Sequence, residues 1–155
     1  MSRDDRFSAA LQQLGCSFEA GLKQGGDYAA TVRHDSHLYV SGQIPRIDED
    51  IIHRGRVGAD VSLSQAQEAA KICALRCLAL LQREAGSLDA IKAVLRINVF
   101  VQSADAFTQQ SEVANGASHL IHSVLGEAGA HTRTSVGVYQ LPKNAPVEVD
   151  LIAVI

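Results

Sequence analysis

The sequence has few of the residues on which several protein classes depend. Its 155 residues include no tryptophan, three cysteines, three prolines and only 5% aromatic residues. The formal net charge at pH 7 is −3, so the chain has neither the basic surface nor the aromatic stacking residues that are typical of nucleic-acid binding. We therefore expect no nucleic-acid partner.

Long apolar runs are absent as well. The N-terminal segment MSRDDRFSAALQQLG is charged and does not resemble a secretory signal, and no stretch is long enough to cross a membrane as a helix. With 46% hydrophobic and 20% charged residues, the composition is typical of a globular domain that buries a sizeable core. These features predict a single domain over residues 1–155, a cytoplasmic location and no membrane partner.

The cysteines and histidines do not form a recognisable metal-binding motif. The odd number of cysteines, Cys16, Cys73 and Cys77, argues against a disulfide framework. Cys73 and Cys77 are one helical turn apart on an apolar stripe, which favours core packing over metal binding. His119 and His122 have helical spacing but no carboxylate or cysteine beside them that would complete a ligand set, so we expect them to be solvated. The sequence predicts no metal and no cofactor.

The hydrophobic pattern predicts strands that alternate with helices. Residues 3–14 are expected to form a short amphipathic helix, and the next two strands flank the turn RHDSH. A charged, glycine-containing loop then leads to a long helix over residues 64–85. Ser64 and Gln67 would begin this helix as a capping box, and Gly86 would end it.

The second half of the chain repeats this alternation. The strand AVLRINVFVQ precedes a helix that would begin after Asp105 and end near Leu125, although Gly116 lowers the helix propensity in its middle. The resulting order is ββαβαββ, an α+β fold with two helices on one face of a mixed sheet. The opposite face would carry apolar residues that self-association could cover. The candidates for this face are Val40, Phe100, Tyr139 and Ile152.

The C-terminal segment TRTSVGVYQLPKNAPVEVDLIAVI predicts the last two strands. Two prolines and an asparagine in LPKNAP indicate a turn, so we expect the two strands to pair as an antiparallel hairpin. In that pairing Tyr139 lies opposite Glu148 on the polar face, and Arg133 shares this face about 20 Å from Glu148. Arg133 and Glu148 would then meet only if a neighbouring subunit brought them together.

Three blocks of sequence resemble a known family. They are LYVSGQIP at 38–45, RINVFVQSADAF at 96–107 and TRTSVGVYQLPKNAPVEVDLIAV at 132–154. Together they resemble the Rid family (YjgF, reactive intermediate deaminase), also known as endoribonuclease L-PSP or chorismate mutase-like proteins, and the resemblance extends from about Tyr28 to the C-terminus. It implies a chorismate mutase-like fold and a homotrimer with clefts at the subunit interfaces. Residues 1–15 would be a helical extension that the shorter family members lack.

The resemblance also implies an activity. Members of the active branch hydrolyse 2-enamine and 2-imino acids to 2-keto acids and ammonia, without a cofactor. Arg133 matches the arginine that binds the substrate carboxylate, and Glu148 matches the glutamate that handles the attacking water. Tyr28 matches a tyrosine of the cleft, and Ser41 and Gly42 match two small residues at the end of a strand.

Two further positions complete the expected site. Asn115 matches an asparagine of the cleft in a helix that is several residues longer here. Ser135 stands two residues after the arginine, where the active branch often has a cysteine, and backbone groups near it could position water. The expected ligand is therefore a small 2-imino or 2-keto acid.

Other interpretations remain open. A trimeric module could bind small carboxylate metabolites through Arg133 without turning them over. Endoribonuclease activity is a third interpretation, but the acidic balance and the absence of a histidine pair among the expected site residues argue against it. Arg133 could instead form a surface ion pair worth under about 1 kcal/mol, and Glu148 could be a charge that protects a sheet edge.

Overall fold

A computed structural model describes residues 1–155 and contains three α-helices and seven strands. The helices are α1 (Arg3–Gln13), α2 (Leu63–Ala85) and α3 (Gln110–Leu125). The strands are β1 (Thr31–His34), β2 (His37–Gln43), β3 (Arg46–Ile47), β4 (Asp50–Ile51), β5 (Ala93–Gln102), β6 (Thr132–Val138) and β7 (Val147–Val154).

One mixed sheet contains five of the strands in the order β1-β2-β7-β5-β6. Only β5 and β6 run parallel, and the other neighbours are antiparallel. Strands β3 and β4 form a separate two-stranded ribbon in the segment that the sequence pattern predicts as a loop. The predicted order ββαβαββ and the α+β class are confirmed. Helix α1 precedes this order, and the β3–β4 ribbon stands between β2 and α2.

The predicted C-terminal hairpin is wrong. Strand β6 pairs with β5 at the edge of the sheet, and β7 lies between β2 and β5, so β6 and β7 are not neighbours. The burial of the two strands gives the physical reason, because alternate apolar residues of β7 are fully buried whereas no residue of β6 is. A strand with a continuous apolar face is stabilised more in the centre of a sheet than at its edge.

Helices α2 and α3 cover one face of this sheet and enclose the core with it. Cys73 and Cys77 lie on α2 and are fully buried, with their sulfur atoms 3.6 Å and 3.5 Å from the carbonyl oxygens of Val147 and Val149. Burial raises the pKa of both thiols. The prediction that these cysteines pack in the core is confirmed.

The long helix α2 begins one residue earlier than expected, and its capping box lies two residues earlier. Its N-cap is Ser62, whose hydroxyl accepts from the backbone N–H of Gln65 while the Gln65 side chain accepts from the Ser62 N–H. The capping box predicted at Ser64 and Gln67 is therefore wrong, because the same spacing of side chains occurs two residues earlier at Ser62 and Gln65. Gly86 ends the helix in the left-handed conformation at φ 83°, as predicted.

Helix α3 begins later than expected and owes its position to a glycine. Asp105 lies in a turn before the helix and does not cap it, and the N-cap is Gln109, without a side-chain hydrogen bond. A Cβ atom at Gly116 would lie 2.3 Å from the carbonyl oxygen of Gln67 on α2. The glycine that weakens the helix pattern thus lets the two helices approach closely.

The open face of the sheet carries part of the apolar surface that the sequence predicts. Phe100 and Ile152 lie half-buried on this face, but Val40 points into the core and is only 4% exposed. Tyr139 follows the end of β6 and is 79% exposed, with the Arg56 guanidinium 4.8 Å from its ring centre. Further apolar residues of the open face are exposed, namely Val32, Tyr39 and Val136. None of the three helices combines the length and apolarity that a membrane crossing requires.

Candidate functional site

The expected site residues form two groups within the chain. The arginine group lies between α3 and β6 and contains Arg133, Asn115 and Ser135. The glutamate group lies where β2 meets β7 and contains Glu148, Gly42, Ser41 and Tyr28. The structure therefore brings together the members of each group but not the two groups.

Arg133 is held by acceptors that all belong to α3. Its Nη1 donates to Asn115 Oδ1 at 2.8 Å and to Ser118 Oγ at 3.0 Å, and its Nη2 donates to the Ser111 carbonyl at 3.3 Å. All three acceptors are neutral, and none of the four ion pairs of the chain involves Arg133. Both hydrogens of Nη1 and one of Nη2 are used, so the Nε–H and the second hydrogen of Nη2 are left to hold a carboxylate through two parallel hydrogen bonds.

The pairing of β6 explains why Arg133 points toward α3. Arg133 lies opposite the fully buried Ile97 of β5, so its side chain projects from the helix-covered face. Because β6 is the edge strand, the guanidinium remains only partly buried. Ser135 projects from the same face, and its hydroxyl oxygen lies 3.3 Å from that of Ser111.

Sequence reasoning missed two members of this group, Ser111 and Ser118. Together with Asn115 they occupy positions i, i+4 and i+7 of α3, which is the spacing of one helix face. This stripe of small polar residues at the spacing of one helix face is the signal that could have found them. Asn115, predicted from the resemblance alone, proves to be a direct partner of Arg133.

A bulge in β2 shapes the glutamate group. Val40 pairs with Leu151 and Gln43 pairs with Val149, so two residues, Ser41 and Gly42, stand opposite one residue of β7. The bulge places Gly42 against Glu148, and a Cβ atom at this position would lie 2.9 Å from Glu148 Cδ. A side chain at position 42 would displace the carboxyl group.

Glu148 is partly buried and has no hydrogen-bond or ion-pair partner within the chain. Burial, and to a smaller extent the charge of Asp150, raises its pKa above the usual range for glutamate. Burial also raises the pKa of Asp150, although Asn98 Nδ2 donates to its carboxylate at 2.8 Å. A carboxyl group with a raised pKa is suited to both accept and release a proton near neutral pH.

Ser41 and Tyr28 form the other wall of the glutamate group. The Ser41 hydroxyl donates to the Ala29 carbonyl at 2.7 Å, and its backbone N–H donates to the Ala30 carbonyl at 2.9 Å. Ser41 thereby fixes the segment that carries Tyr28, whose half-exposed ring lines a small cavity with Gln24 and Gly42. The Ser41 hydroxyl proton already forms a hydrogen bond within the chain, so in this structure Ser41 stabilises the backbone of residues 29–30.

Sequence reasoning also missed a buried arginine behind this wall. Arg76 is only 3% exposed and donates to Gln43 Oε1 at 3.2 Å and to the carbonyls of Arg46 and Lys23 at 3.0 Å and 2.9 Å. It ties the loop before Tyr28 to the sheet. Its signal in the sequence is a charge inside the apolar run CALRCLAL.

The two groups lie on opposite faces of the sheet. Glu148 is paired with Phe100, which in turn is paired with Val136, whereas Arg133 is three residues from Val136 along β6. The predicted common face is therefore wrong, because it depended on the hairpin. Strand spacing and rise place the Cα atoms of Arg133 and Glu148 about 14 Å apart rather than about 20 Å. Within one chain the two side chains do not meet.

The described residues 1–155 contain no cluster of three or more histidine, cysteine, aspartate or glutamate side chains arranged to hold a metal ion. His119 and His122 are exposed on α3. The chemistry of the two groups thus consists of a guanidinium with free donors in one and a carboxyl group with a raised pKa in the other.

Comparison with known proteins places the chain in a family. A family model described as "YjgF/chorismate mutase-like, putative endoribonuclease" matches residues 9–155. The chain belongs to the YjgF family. The resemblance found in the sequence and the predicted chorismate mutase-like fold are both confirmed.

Relatives of the YjgF family cover almost the whole chain. Protein TCP17 of Trypanosoma cruzi is 45% identical over 148 residues, which are 95% of this chain and 92% of that protein. The protein Atu1372 of Agrobacterium tumefaciens, described as having unknown function, is 40% identical with a TM-score of 0.87, and the match covers 99% and 94% of the two chains. The structural match to Atu1372 covers 99% of this chain and therefore extends over α1.

A more distant structure, TdcF of E. coli, was solved with bound serine. It is 24% identical with a TM-score of 0.62, and the match covers 85% of this chain and 91% of TdcF. At this sequence identity the match shows that the chain and TdcF share a fold.

Proposed function

We propose that the protein is a homotrimer that hydrolyses 2-enamine and 2-imino acids to 2-keto acids and ammonia in clefts between its subunits. The observation that carries this proposal is Arg133, a guanidinium that is fixed by neutral acceptors and has no carboxylate partner. A cation held in this way binds an anion without first losing an internal ion pair. Its Nε–H, which has no partner within the chain, and the second hydrogen of Nη2 fit the planar carboxylate of a 2-imino acid.

Glu148 supplies the proton transfers in this proposal. The water oxygen adds to the C=N carbon while the Glu148 carboxylate takes a proton from the water and passes it to the nitrogen. The tetrahedral product then loses its C–N bond, the hydroxyl proton moves to the departing nitrogen, and a keto acid and ammonia remain. The raised pKa of Glu148 supports this role, because the same group must both accept and donate a proton.

The geometry of one chain supports placing the reaction between subunits. Arg133 and Glu148 project from opposite faces of the sheet, so one cleft can contain both only if they come from different subunits. The open face that carries Glu148 also exposes apolar side chains, with Val32, Tyr39 and Val136 between 41% and 53% exposed. Packing of this face against a second copy would remove that apolar surface from water.

Turnover of freshly generated imines tests the proposed activity. An amino acid oxidase would produce 2-imino acids from a panel of amino acids, and the formation of keto acid would be followed with and without the protein. We expect acceleration by the wild type and a loss of about 10- to 100-fold in kcat/KM for Arg133→Ala, since a charge-assisted pair of hydrogen bonds is removed. Arg83→Ala, which removes an exposed arginine of α2, is the matched control and should retain wild-type turnover.

A non-catalytic binding module for small carboxylates is the second candidate. The observation in its favour is that the arginine group is assembled completely within one chain, whereas Glu148 lies elsewhere. The serine bound to TdcF of E. coli is compatible with the same chemistry. Carboxylate binding that depends on Arg133, without acceleration of imine hydrolysis for any amino acid of the panel, would select this candidate over the deaminase.

The endoribonuclease named in the family description is a third possibility with less support. The net charge of −3 and the absence of a histidine pair in either group do not favour RNA cleavage. We expect no degradation of RNA by protein from which contaminating nucleases have been removed. Cleavage that is lost in Glu148→Gln but retained in an equally purified control variant would reverse this conclusion.

A further inference from the structure

A histidine that the proposed reaction does not use lies directly behind Arg133. His131 is partly buried at the start of β6, two residues before Arg133. Its Nε2 atom lies 2.9 Å from Ser118 Oγ, and its Nδ1 atom lies 2.6 Å from the Gly129 carbonyl oxygen. Ser118 Oγ is also an acceptor for Arg133 Nη1. The three side chains therefore form one continuous chain of hydrogen bonds.

The chemistry of these atoms fixes the direction of each hydrogen bond. A carbonyl oxygen can only accept, so Nδ1 of His131 must carry the proton that is donated to Gly129. In the neutral imidazole Nε2 then has no proton and must accept from the Ser118 hydroxyl. The hydroxyl proton is thus directed away from Arg133, and a lone pair of Ser118 Oγ is directed toward Nη1.

The segment that holds His131 is itself closely packed. Gly129 is buried, and a Cβ atom there would lie 2.8 Å from the carbonyl oxygen of Ile121 on α3. The carbonyl that accepts from His131 is therefore fixed against the same helix that carries Ser118. The imidazole thus has a hydrogen-bond partner at each nitrogen, the Ser118 hydroxyl and this fixed carbonyl.

We infer that His131, in its Nδ1–H form, is a positioning residue that orients the Ser118 hydroxyl and so holds Arg133 ready for the substrate carboxylate. The inference rests on the proposed role of Arg133 as the carboxylate anchor. Without the acceptor at Nε2, the Ser118 hydroxyl can rotate its proton toward Nη1 and no longer fixes the guanidinium. His131 does not touch the substrate in this account, and its effect acts through Ser118.

The affinity for pyruvate, the simplest 2-keto acid with the required carboxylate, tests this role. We expect His131→Phe to weaken pyruvate binding, measured by NMR titration, about fivefold, because one neutral hydrogen bond in the network is lost. His131→Gln retains an acceptor at similar reach and should bind within about twofold of the wild type. His122→Phe makes the same change at an exposed histidine of α3 and should leave the affinity unchanged.

A double-mutant cycle separates positioning from a general structural role. If His131 acts through Ser118, His131→Phe should have almost no further effect in a Ser118→Ala background. Additive losses would overturn the inference, and so would wild-type affinity in His131→Phe when Arg133→Ala abolishes binding. That second result would leave Arg133 as the anchor and reject only the role of His131.

The protonation of the ring gives a readout that does not depend on any ligand. Nitrogen-15 NMR of the wild type near pH 8 should show the proton of His131 on Nδ1 and an unprotonated Nε2. A proton on Nε2 would reverse the hydrogen bond to Ser118 and overturn the inference, whether or not pyruvate binds. Failure of wild-type chains to bind pyruvate while the Nδ1–H form is observed would instead count against the proposed function.

Discussion

Glu148 is the residue at which burial most directly affects the proposed chemistry. Its carboxyl group lies against Gly42, has no partner within the chain, and has a pKa that burial and Asp150 raise. A structural protein gains nothing from an unpaired carboxylate in such a place, since desolvation of a charge destabilises the folded state. The position is therefore better explained by proton transfer than by stability.

Removal of the charge at Glu148 should stabilise the protein at neutral pH. Its folded pKa is raised above the unfolded value of about 4.3, so the ionised carboxylate destabilises the folded state at pH values above the folded pKa. This penalty decreases as the pH falls through the folded pKa and is absent below the unfolded value. We expect Glu148→Gln to have a higher Tm than the wild type at pH 7 and the same Tm at about pH 3.5. Thermal unfolding monitored by circular dichroism across this range measures the difference.

The control for this prediction is Glu19→Gln, which changes an exposed glutamate outside the helices and strands. It should show no such change of relative Tm with pH. A Glu148→Gln variant that is less stable than the wild type at pH 7 would mean that the carboxylate makes a stabilising contact in the assembled protein.

At the scale of elements, the contact between α2 and α3 positions the arginine group. Ser111, Asn115 and Ser118 can reach Arg133 only if α3 lies close to α2 and flat on the sheet. Gly116 lies on the other side of the same helix and allows this approach, since a Cβ atom would meet the Gln67 carbonyl at 2.3 Å. One glycine thereby links helix packing to the geometry of the site.

Gly116→Ala should destabilise the protein by about 2 kcal/mol, because overpacking forces the two helices apart. In an unconstrained helix the same substitution would stabilise by roughly 0.5–1 kcal/mol, so the sign of the effect is the test. Chemical denaturation measures the free energy of unfolding, and pyruvate titration should show weaker binding as the acceptors on α3 shift. Stabilisation by Gly116→Ala would show that the helices are not in close contact at this point.

Some elements could be predicted from local sequence and others could not. The end of α2 at Gly86 and the strands around RHDSH follow from local chemistry, namely a left-handed cap and a short polar turn. The capping box was displaced because Ser62 with Gln65 and Ser64 with Gln67 offer the same spacing. Choosing between them requires knowing which register packs the helix against the sheet.

The pairing of β6 and β7 could not be predicted from the segment alone. A short polar turn between two strands favours a hairpin, and only the apolar face of β5 shows that a third strand competes for the place beside β7. With the predicted hairpin, Arg133 lies on the same face as Glu148, whereas in the structure it lies on the opposite, helix-covered face. The family resemblance assigns Arg133, Asn115 and Ser135 to one cleft with the other expected site residues, and within the chain these three lie together. Arg76, Ser118 and His131 required the tertiary contacts.

At the scale of the whole molecule, the proposed site needs more than one chain. Each chain has a complete arginine group at one edge of its sheet and a glutamate group on the other face. In the proposed cyclic trimer, the edge of each subunit would lie beside the open face of the next subunit. The apolar residues of the open face would then contribute to the interface instead of facing water.

Light scattering in dilute solution should report a mass three times that of the 16.5 kDa chain. Val136→Glu places a charge on the exposed apolar part of the open face and should shift the protein toward smaller species, with the far-UV circular dichroism retained. Gln12→Glu adds the same charge on the exposed side of α1 and should leave the trimer intact. A stable monomer of the wild type would remove the shared cleft from this account.

Mixing two impaired variants tests the central claim most directly. Arg133→Ala and Glu148→Gln chains, each strongly impaired alone, would be unfolded together and reassembled, with wild-type chains and each variant alone treated identically as controls. In random trimers about one quarter of the clefts receive an intact arginine from one subunit and an intact glutamate from its neighbour, so imine hydrolysis should return to about one quarter of the wild-type control. If mixed trimers are verified by mass and activity does not rise above that of either variant alone, Arg133 and Glu148 do not share a cleft between subunits.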